Sequence, residues 1–273
     1  MPLPYINIPD QHIGPIPIHP FGVLVATGVL IGSAMAVRRA QRHGLPRANM
    51  ESFISWTLAF GFVLSHVLDE LMYRPREVLA HPLQLLMIWR GISSYGGFIG
   101  GVIGAFVWAA FKKEKILPYL EEVGAVFPVA WIFGRAGCSV AHDHIGNLSS
   151  SPLAVNFPGA PRFDLGLLEL FCTIPLAIAT LWYARKPRRP GEVLGFISLV
   201  YAPIRYGLDS MRATDISSPD ARYFGLTPGM WLSVVLLVTG VVLLLRARKL
   251  PARTWPAPAA PAPEAPASTP TGP

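Results

Sequence analysis

The sequence predicts an all-α, polytopic integral membrane protein of seven transmembrane helices, with its N-terminus outside and its C-terminus inside. Three observations predict it. Of 273 residues, 52% are apolar and only 14% charged, against ~25% charged in an ordinary soluble domain. The mean hydropathy is +0.42, so too few charges exist to cover a water-facing surface. Seven apolar stretches approach the ~20 residues that a bilayer crossing needs. The basic residues are also unevenly divided between the connections.

The stretches run over residues 20–37, 53–72, 91–111, 123–141, 165–184, 193–211 and 230–245. Turn-rich or charged segments separate them. The third carries Gly91, Gly96, Gly97, Gly100, Gly101 and Gly104, including overlapping small-xxx-small patterns. These suit close helix packing or backbone approach to a ligand. With the N-terminus outside, the inner connections and the C-terminal flank hold Arg38, Arg39, Arg42, Arg47, Lys112, Lys113, Lys115, Arg185, Lys186, Arg188, Arg189, Arg246, Arg248, Lys249 and Arg253. That is 15 of the 23 basic residues and includes every lysine. The net charge of +7 is therefore mostly a topology signal, and nucleic acid is not an expected partner. Residues 1–250 read as the membrane domain. Residues 251–273 read as a disordered, Pro/Ala-rich cytoplasmic tail, because such a composition builds no packed core.

Two cysteines, Cys138 and Cys172, exclude a disulfide scaffold and a cysteine-only zinc cluster. They read as small apolar packers, with a bridge between them left open. The N-terminus lacks a basic region followed by an apolar core, so no cleavable signal peptide is expected.

Threading the chain through this topology gathers the intramembrane ionisable residues at the outer end. His66, Asp69 and Glu70 end the second span. Arg90 and Ser93–Gly97 begin the third. Arg135, Cys138 and the run His142, Asp143, His144 end the fourth. Asp164 and Glu169 begin the fifth, as weaker candidates, and Arg205, Asp209 and Arg212 end the sixth. Ionisable groups at membrane depth are functional candidates by default. Arg205, Asp209 and Arg212 share one helix face, and their planar forks suit a lipid phosphate. Interhelical salt bridges and snorkelling side chains are the competing reading. The His142–His144 run offers acid/base groups or metal ligands, with His66 and Asp69 able to complete such a set.

Several segments together carry a family resemblance. Gly134-Arg135-Ala136-Gly137-Cys138, closing at Gly146, resembles the Gly-Arg-x-Gly-Asn signature of bacterial prolipoprotein diacylglyceryl transferases. Ile18-His19-Pro20-Phe21-Gly22 resembles the opening of that family's first span. Arg90-Gly91-Ile92-Ser93-Ser94-Tyr95-Gly96-Gly97 resembles its Ser-Phe-His-Gly-Gly stretch. Arg205-x-x-x-Asp209-x-x-Arg212 resembles its Arg-x-x-x-Glu-x-x-Arg, and Gly225-Leu226-Thr227-Pro228-Gly229 its Gly-Leu-Thr-x-Gly.

The resemblance implies a bacterial inner-membrane enzyme whose active site faces the outer leaflet. It would move the diacylglyceryl group of phosphatidylglycerol to the lipobox cysteine of a preprolipoprotein signal peptide, without cofactor or metal. Arg135, Arg205, Asp209 and Arg212 would bind the lipid headgroup, with Gly96, Gly97 and His66 in the substrate site. The departures bear on proton transfer. The family histidine of His-Gly-Gly is Tyr95 here, its asparagine is Cys138, and its Asn-x-Glu is Ala141-His142-Asp143. Phe21 stands where tyrosine is frequent, and Leu64-Ser65-His66 replaces Gly-Gly-Arg. The catalytic set expected is thus Arg135, Tyr95, His142, Asp143 and His144, with a displaced base. Alternatives are a relative acting on another phospholipid, as a metal-assisted hydrolase or headgroup transferase, and a non-catalytic lipid-binding membrane protein.

Overall fold

The computed structural model describes residues 1–13, 16–87, 93–217 and 219–253, and excludes the side chains of residues 11–13, 16, 17, 72, 73, 94 and 95. The expected tail, from residue 254 onward, and the Arg90-Gly91-Ile92 start of the third span lie outside the described residues.

Helices dominate. They are α1 (Pro20–Arg42), α2 (Arg47–Tyr73), the short α3 (Pro75–Ala80), α4 (Ser94–Lys112), α5 (Ile116–Ala141), α6 (Leu165–Tyr183), α7 (Glu192–Ser210) and α8 (Pro228–Ala247). A 3-10 turn covers Pro82–Leu86. The seven long helices fall on the seven apolar stretches. Five of them, α1, α2, α5, α6 and α8, are long and apolar enough to cross a membrane. The qualifying part of α4 is the shorter Gly96–Lys112, and α7 is diluted by Glu192, Arg205 and Asp209.

Two small sheets qualify the all-α expectation. Strands β1 (Gln11–Ile13) and β2 (Ile16–Ile18) pair antiparallel before α1. Strands β3 (Ile145–Leu148), β4 (Ala154–Asn156) and β5 (Pro161–Asp164) form an antiparallel sheet of order β3-β5-β4 in the α5–α6 connection. Runs of three or four residues are too short to register as a period-2 pattern. This second sheet ties the connections together. Leu3 joins β4, its amide donating to Ala154 O at 2.7 Å. The chain leaving α7 joins β3, with the Asn147 amide donating to Met211 O at 2.8 Å. Asp164 caps α6 by accepting from the Leu167 amide at 3.0 Å.

Packing proceeds pairwise: α2 lies along α4, α1 along α5, α5 along α6, and α7 along α8. The basic end is held by an aromatic cluster in which Trp108 meets Phe53 edge-on at 5.0 Å and Tyr119 at 4.7 Å. Two buried carboxylates anchor the same end. Glu122 holds Arg39 at 3.2 Å and His43 at 2.7 Å, and Glu121 holds Arg253 at 2.8 Å.

The glycine stripe of α4 answers mainly to packing. A Cβ at Gly96 would stand 2.7 Å from Ser65 Cα, and one at Gly100 would stand 2.9 Å from Gly61 Cα and strike the Phe60 carbonyl oxygen. At Gly101 the nearest atom is 3.9 Å away, at Thr57 O. Gly100→Ala is therefore expected to destabilise the α2–α4 pair by about 1–3 kcal/mol, the usual range for overpacking. Gly101→Ala should be nearly neutral. Thermal unfolding of the two variants in detergent checks this, and equal midpoints would contradict it.

Candidate active site

Residues near the C-terminal ends of α5 and α7 and the start of α6 converge on one carboxylate. Arg135 lies about two turns before the end of α5, Glu169 in the second turn of α6, and Arg205 about two turns before the end of α7. Glu169 is fully buried. Its Oε2 accepts from Arg205 Nη1 at 2.5 Å and faces Arg135 Nη1 at 3.3 Å. Its Oε1 accepts from the Tyr201 hydroxyl and from Trp131 Nε1 at 3.2 Å. The Arg135 guanidinium also lies over the Trp131 ring, 4.3 Å from its centroid, where a cation is attracted by the ring face. Phe98 of α4 abuts that tryptophan at 5.5 Å between centroids.

The ion pairs continue outward. Arg205 Nη2 is 3.2 Å from Asp209 Oδ1, and the same oxygen accepts from Arg212 Nε at 2.7 Å. Arg212 Nη1 donates to Asp220 Oδ2 at 2.7 Å. The result is an alternating chain: Arg135, Glu169, Arg205, Asp209, Arg212, Asp220. Residues 225–233 fit this chain closely. Thr227 caps α8, accepting from the Met230 amide at 3.2 Å while its hydroxyl donates to Asp209. A side chain at Gly229 would meet Asp209 Oδ2 at 2.6 Å, so only glycine lets α8 begin there.

The charges balance along the whole chain but not within its shielded part. Arg135, Arg205 and Arg212 are largely buried, as are Glu169 and Asp209, whereas Asp220 is 45% exposed. Three guanidiniums against two carboxylates leave the shielded part with one surplus positive charge. Spare donors accompany it. The Nε and Nη1 groups of Arg135 are buried, and neither makes a hydrogen bond among the described residues. Buried guanidinium N–H groups with one unmatched charge are chemically suited to a monoanion such as a phosphodiester.

The other expected site residues divide. His142 ends α5 in the left-handed conformation, φ +50°. Its Nδ1 is 2.6 Å from Asp164 Oδ2, and its Nε2 is 3.1 Å from Ile6 O. Its ring stacks on Tyr5 at 4.2 Å. Both nitrogens are occupied, and the ring joins the N-terminal segment to the α6 cap. Burial pushes the Asp164 carboxyl up, against the pull of the Leu167 amide and His142. The reversal at His142 turns Asp143 and His144 back over the end of α5. His144 Nδ1 is 2.8 Å from Asp143 Oδ1. Burial opposes the charged form of Asp143, but His144 and Arg135 hold its carboxyl below the usual range.

His66 is buried at the far end of α2, with Nε2 3.2 Å from Gln84 O. Beside it Glu70 binds Arg74 at 2.5 Å. Gly96 packs on the α2 backbone, and a Cβ at Gly97 would only reach ordinary contact with Ser65 at 3.8 Å. The Tyr95 side chain lies outside the described residues. Both cysteines are free thiols. An apolar cavity of ≈ 640 Å³ opens beside this end, lined by Phe21, Val25, Ala26 and Val140, with Asp10, His19 and Asp143 on its wall.

The structure brings Arg135, Arg205, Asp209 and Arg212, named from the sequence, into one ion-pair chain. Sequence reasoning ranks Glu169 low, names Thr227 only within the family motif, and does not single out Tyr201 or Trp131. Spacing held a signal for two of these, since Trp131 and Tyr201 each precede an arginine by four residues and so share its helix face.

The family model described as prolipoprotein diacylglyceryl transferase matches residues 11–246. The chain is 31% identical over 269 residues to the phosphatidylglycerol–prolipoprotein diacylglyceryl transferase of Sinorhizobium medicae, covering 92% of this chain and 96% of that one. It is 30% identical to the protein of that name from Paracidovorax citrulli, with 91% and 98% covered, and 29% identical to that from Agrobacterium fabrum, with 91% and 94% covered. With the match running over nearly the whole helical bundle and through every member of the buried ion-pair chain, this protein belongs to the prolipoprotein diacylglyceryl transferase family.

Proposed function

We propose that the protein transfers the diacylglyceryl group of phosphatidylglycerol to the lipobox cysteine thiol of a preprolipoprotein signal peptide. The observation that carries the reading is the buried array around Glu169, whose shielded part has one surplus positive charge and an Arg135 Nε with no partner among the described residues. A phosphatidylglycerol headgroup is a phosphodiester with one negative charge, so it matches that surplus. The names of the relatives support the same substrates.

In the step itself the acceptor sulfur attacks the glyceryl carbon that bears the phosphate. A carbon–sulfur bond forms, the carbon–oxygen bond to phosphate breaks, and glycerol phosphate leaves. Charge grows on the departing phosphate oxygen, and donors already aimed at it stabilise that growth most. Arg135 and Arg205 bind and neutralise the phosphate. Glu169, Tyr201 and Trp131 position Arg135 and Arg205, while Asp209, Thr227 and Gly229 position Arg205 and Arg212. The thiolate is the attacking species, so the thiol proton must leave. His142 is committed at both ring nitrogens, which leaves His144, beside Asp143 and nine residues beyond Arg135, as the residue to take it. Gly96 and Gly97, at the start of α4, pack against Leu64 and Ser65 of α2, next to His66. No cofactor or metal enters this reaction.

The membrane arrangement is part of the proposal. All seven long helices cross the bacterial inner membrane with the N-terminus outside. This places the basic connections in the cytoplasm and the arginine chain toward the outer leaflet, and the positive-inside rule supports that orientation. The Pro/Ala-rich tail then lies in the cytoplasm.

The test is lipid transfer by the purified protein in phosphatidylglycerol vesicles to a lipobox peptide, read as the peptide's mass gain and release of glycerol phosphate. Arg135→Ala and Arg205→Ala should each lower kcat by roughly 10²–10³, the loss typical of one removed charge-stabilising donor. Arg205→Lys should not restore it, since an ammonium cannot bridge Glu169 and Asp209. Undiminished transfer in these variants would refute the assignment. The two histidines should separate. His144→Ala should lower kcat by ~10²-fold or more, within the range for general-base removal. His142→Ala should chiefly lower the unfolding midpoint, and the reverse pattern would overturn the division.

A further inference from the structure

The end of α5 holds a second cluster that phosphate binding does not use. The Cys138 sulfur, a carboxylate oxygen of Asp143 and a ring nitrogen of His144 all lie within 4.8 Å of one another. We infer that these three side chains form a binding site for a borderline-soft divalent transition-metal ion of the zinc or cobalt class.

The donor set is the first argument. Thiolate, imidazole and carboxylate together favour such ions over magnesium or calcium, which take oxygen ligands. The second is local geometry. Cys138 sits in the last turn of α5, and the left-handed turn at His142, fixed by Asp164 and Ile6, folds the next two residues back over it. A ligand-bearing loop held by its own hydrogen bonds is already ordered before an ion arrives. The third is a pair already in contact: His144 Nδ1 stands 2.8 Å from Asp143 Oδ1, so two of the ligand groups face one another before an ion arrives.

Metal–ligand bonds of about 2.0–2.3 Å place ligands of one tetrahedral ion roughly 3.5 Å apart. Side-chain rotations amounting to about an ångström therefore close the set around an ion. Asp143 also lines the ≈ 640 Å³ cavity, which gives the ion a path and leaves its fourth position open to water. Arg135 opposes a cation here, but its charge is shared with Glu169 at 3.3 Å. Binding also displaces the thiol proton, so thiolate and carboxylate together supply two negative charges. An ion held there takes both His144 and Asp143 out of proton transfer, so the site is inhibitory. That consequence rests on the proposed transfer reaction; the binding itself does not.

The test uses the full-length protein in detergent and cobaltous chloride alone. A thiolate-to-cobalt charge-transfer band should appear and saturate at one ion per chain. It should persist in Cys172→Ser and vanish in Cys138→Ser. Affinity should fall in His144→Ala and in Asp143→Asn by at least ~10–100-fold, the loss that even outer-shell changes produce, and zinc should abolish the band by displacement. Should Cys138→Ser fail to fold, slower alkylation of Cys138 by a thiol reagent when zinc is added to Cys172→Ser protein supplies the same answer. No band, a band that depends on Cys172, or an affinity indifferent to His144→Ala would overturn the site. None of these readouts uses lipid transfer, so failure of the site and failure of the transferase reading remain distinguishable.

Discussion

The rest of the structure depends on one constraint: a glutamate with no exposed surface must remain charged between two arginines inside a helical bundle. Desolvating a carboxylate costs several kcal/mol, and only complete hydrogen bonding together with opposite charge offsets it. Glu169 obtains both, from Arg205, Arg135, Tyr201 and Trp131. These partners come from α5 and α7, so the three helices α5, α6 and α7 are fixed in depth and rotation by one residue. The neighbouring Asp209 extends the same constraint to α8 through Thr227 and the cramped start at Gly229. Removing one member would leave its neighbours as unmatched buried charges, a more costly state than never having had the pair.

The same charges carry the functional argument because they are nearly, but not fully, compensated. A bundle stabilised only by salt bridges would close its ledger at zero. Here the shielded part keeps one positive charge and an Arg135 Nε without a partner among the described residues, and the proposed anionic lipid would satisfy that remainder. At the opposite end the pattern differs. Glu121 and Glu122 each meet arginine or histidine next to a dense set of exposed basic residues, around a pocket of only ≈ 20 Å³. The two ends therefore divide the net charge between topology and chemistry.

Much of this was legible in the sequence, for identifiable reasons. Apolar run length located the seven long helices, and Arg205, Asp209 and Arg212 were placed on one face by spacing alone. Gly225–Gly229 was matched by resemblance, and its physical role emerged only when Asp209 was seen against Gly229. Glu169 was undervalued because its partners lie on other helices, and burial across helices leaves no local pattern. His142 was overvalued for a related reason: a histidine beside an aspartate reads as acid/base chemistry, yet the carboxylate that engages it is Asp164, 22 residues later. The sheet of β3, β4 and β5 was invisible because its strands are too short to alternate. For α7, composition is a weaker guide, since Glu192, Arg205 and Asp209 lower the hydropathy by which a span is recognised.

The central claim is that the Arg135–Glu169–Arg205–Asp209–Arg212 chain holds the headgroup phosphate. The most direct measurement is the affinity of purified protein for phosphatidylglycerol and for uncharged diacylglycerol, determined by native mass spectrometry on the wild type, Arg135→Gln and Arg205→Gln. The account predicts that both variants lose at least ~10-fold in affinity for phosphatidylglycerol, about 1.4 kcal/mol, while their affinity for diacylglycerol is unchanged. Equal retention of phosphatidylglycerol by wild type and folded variants would contradict it.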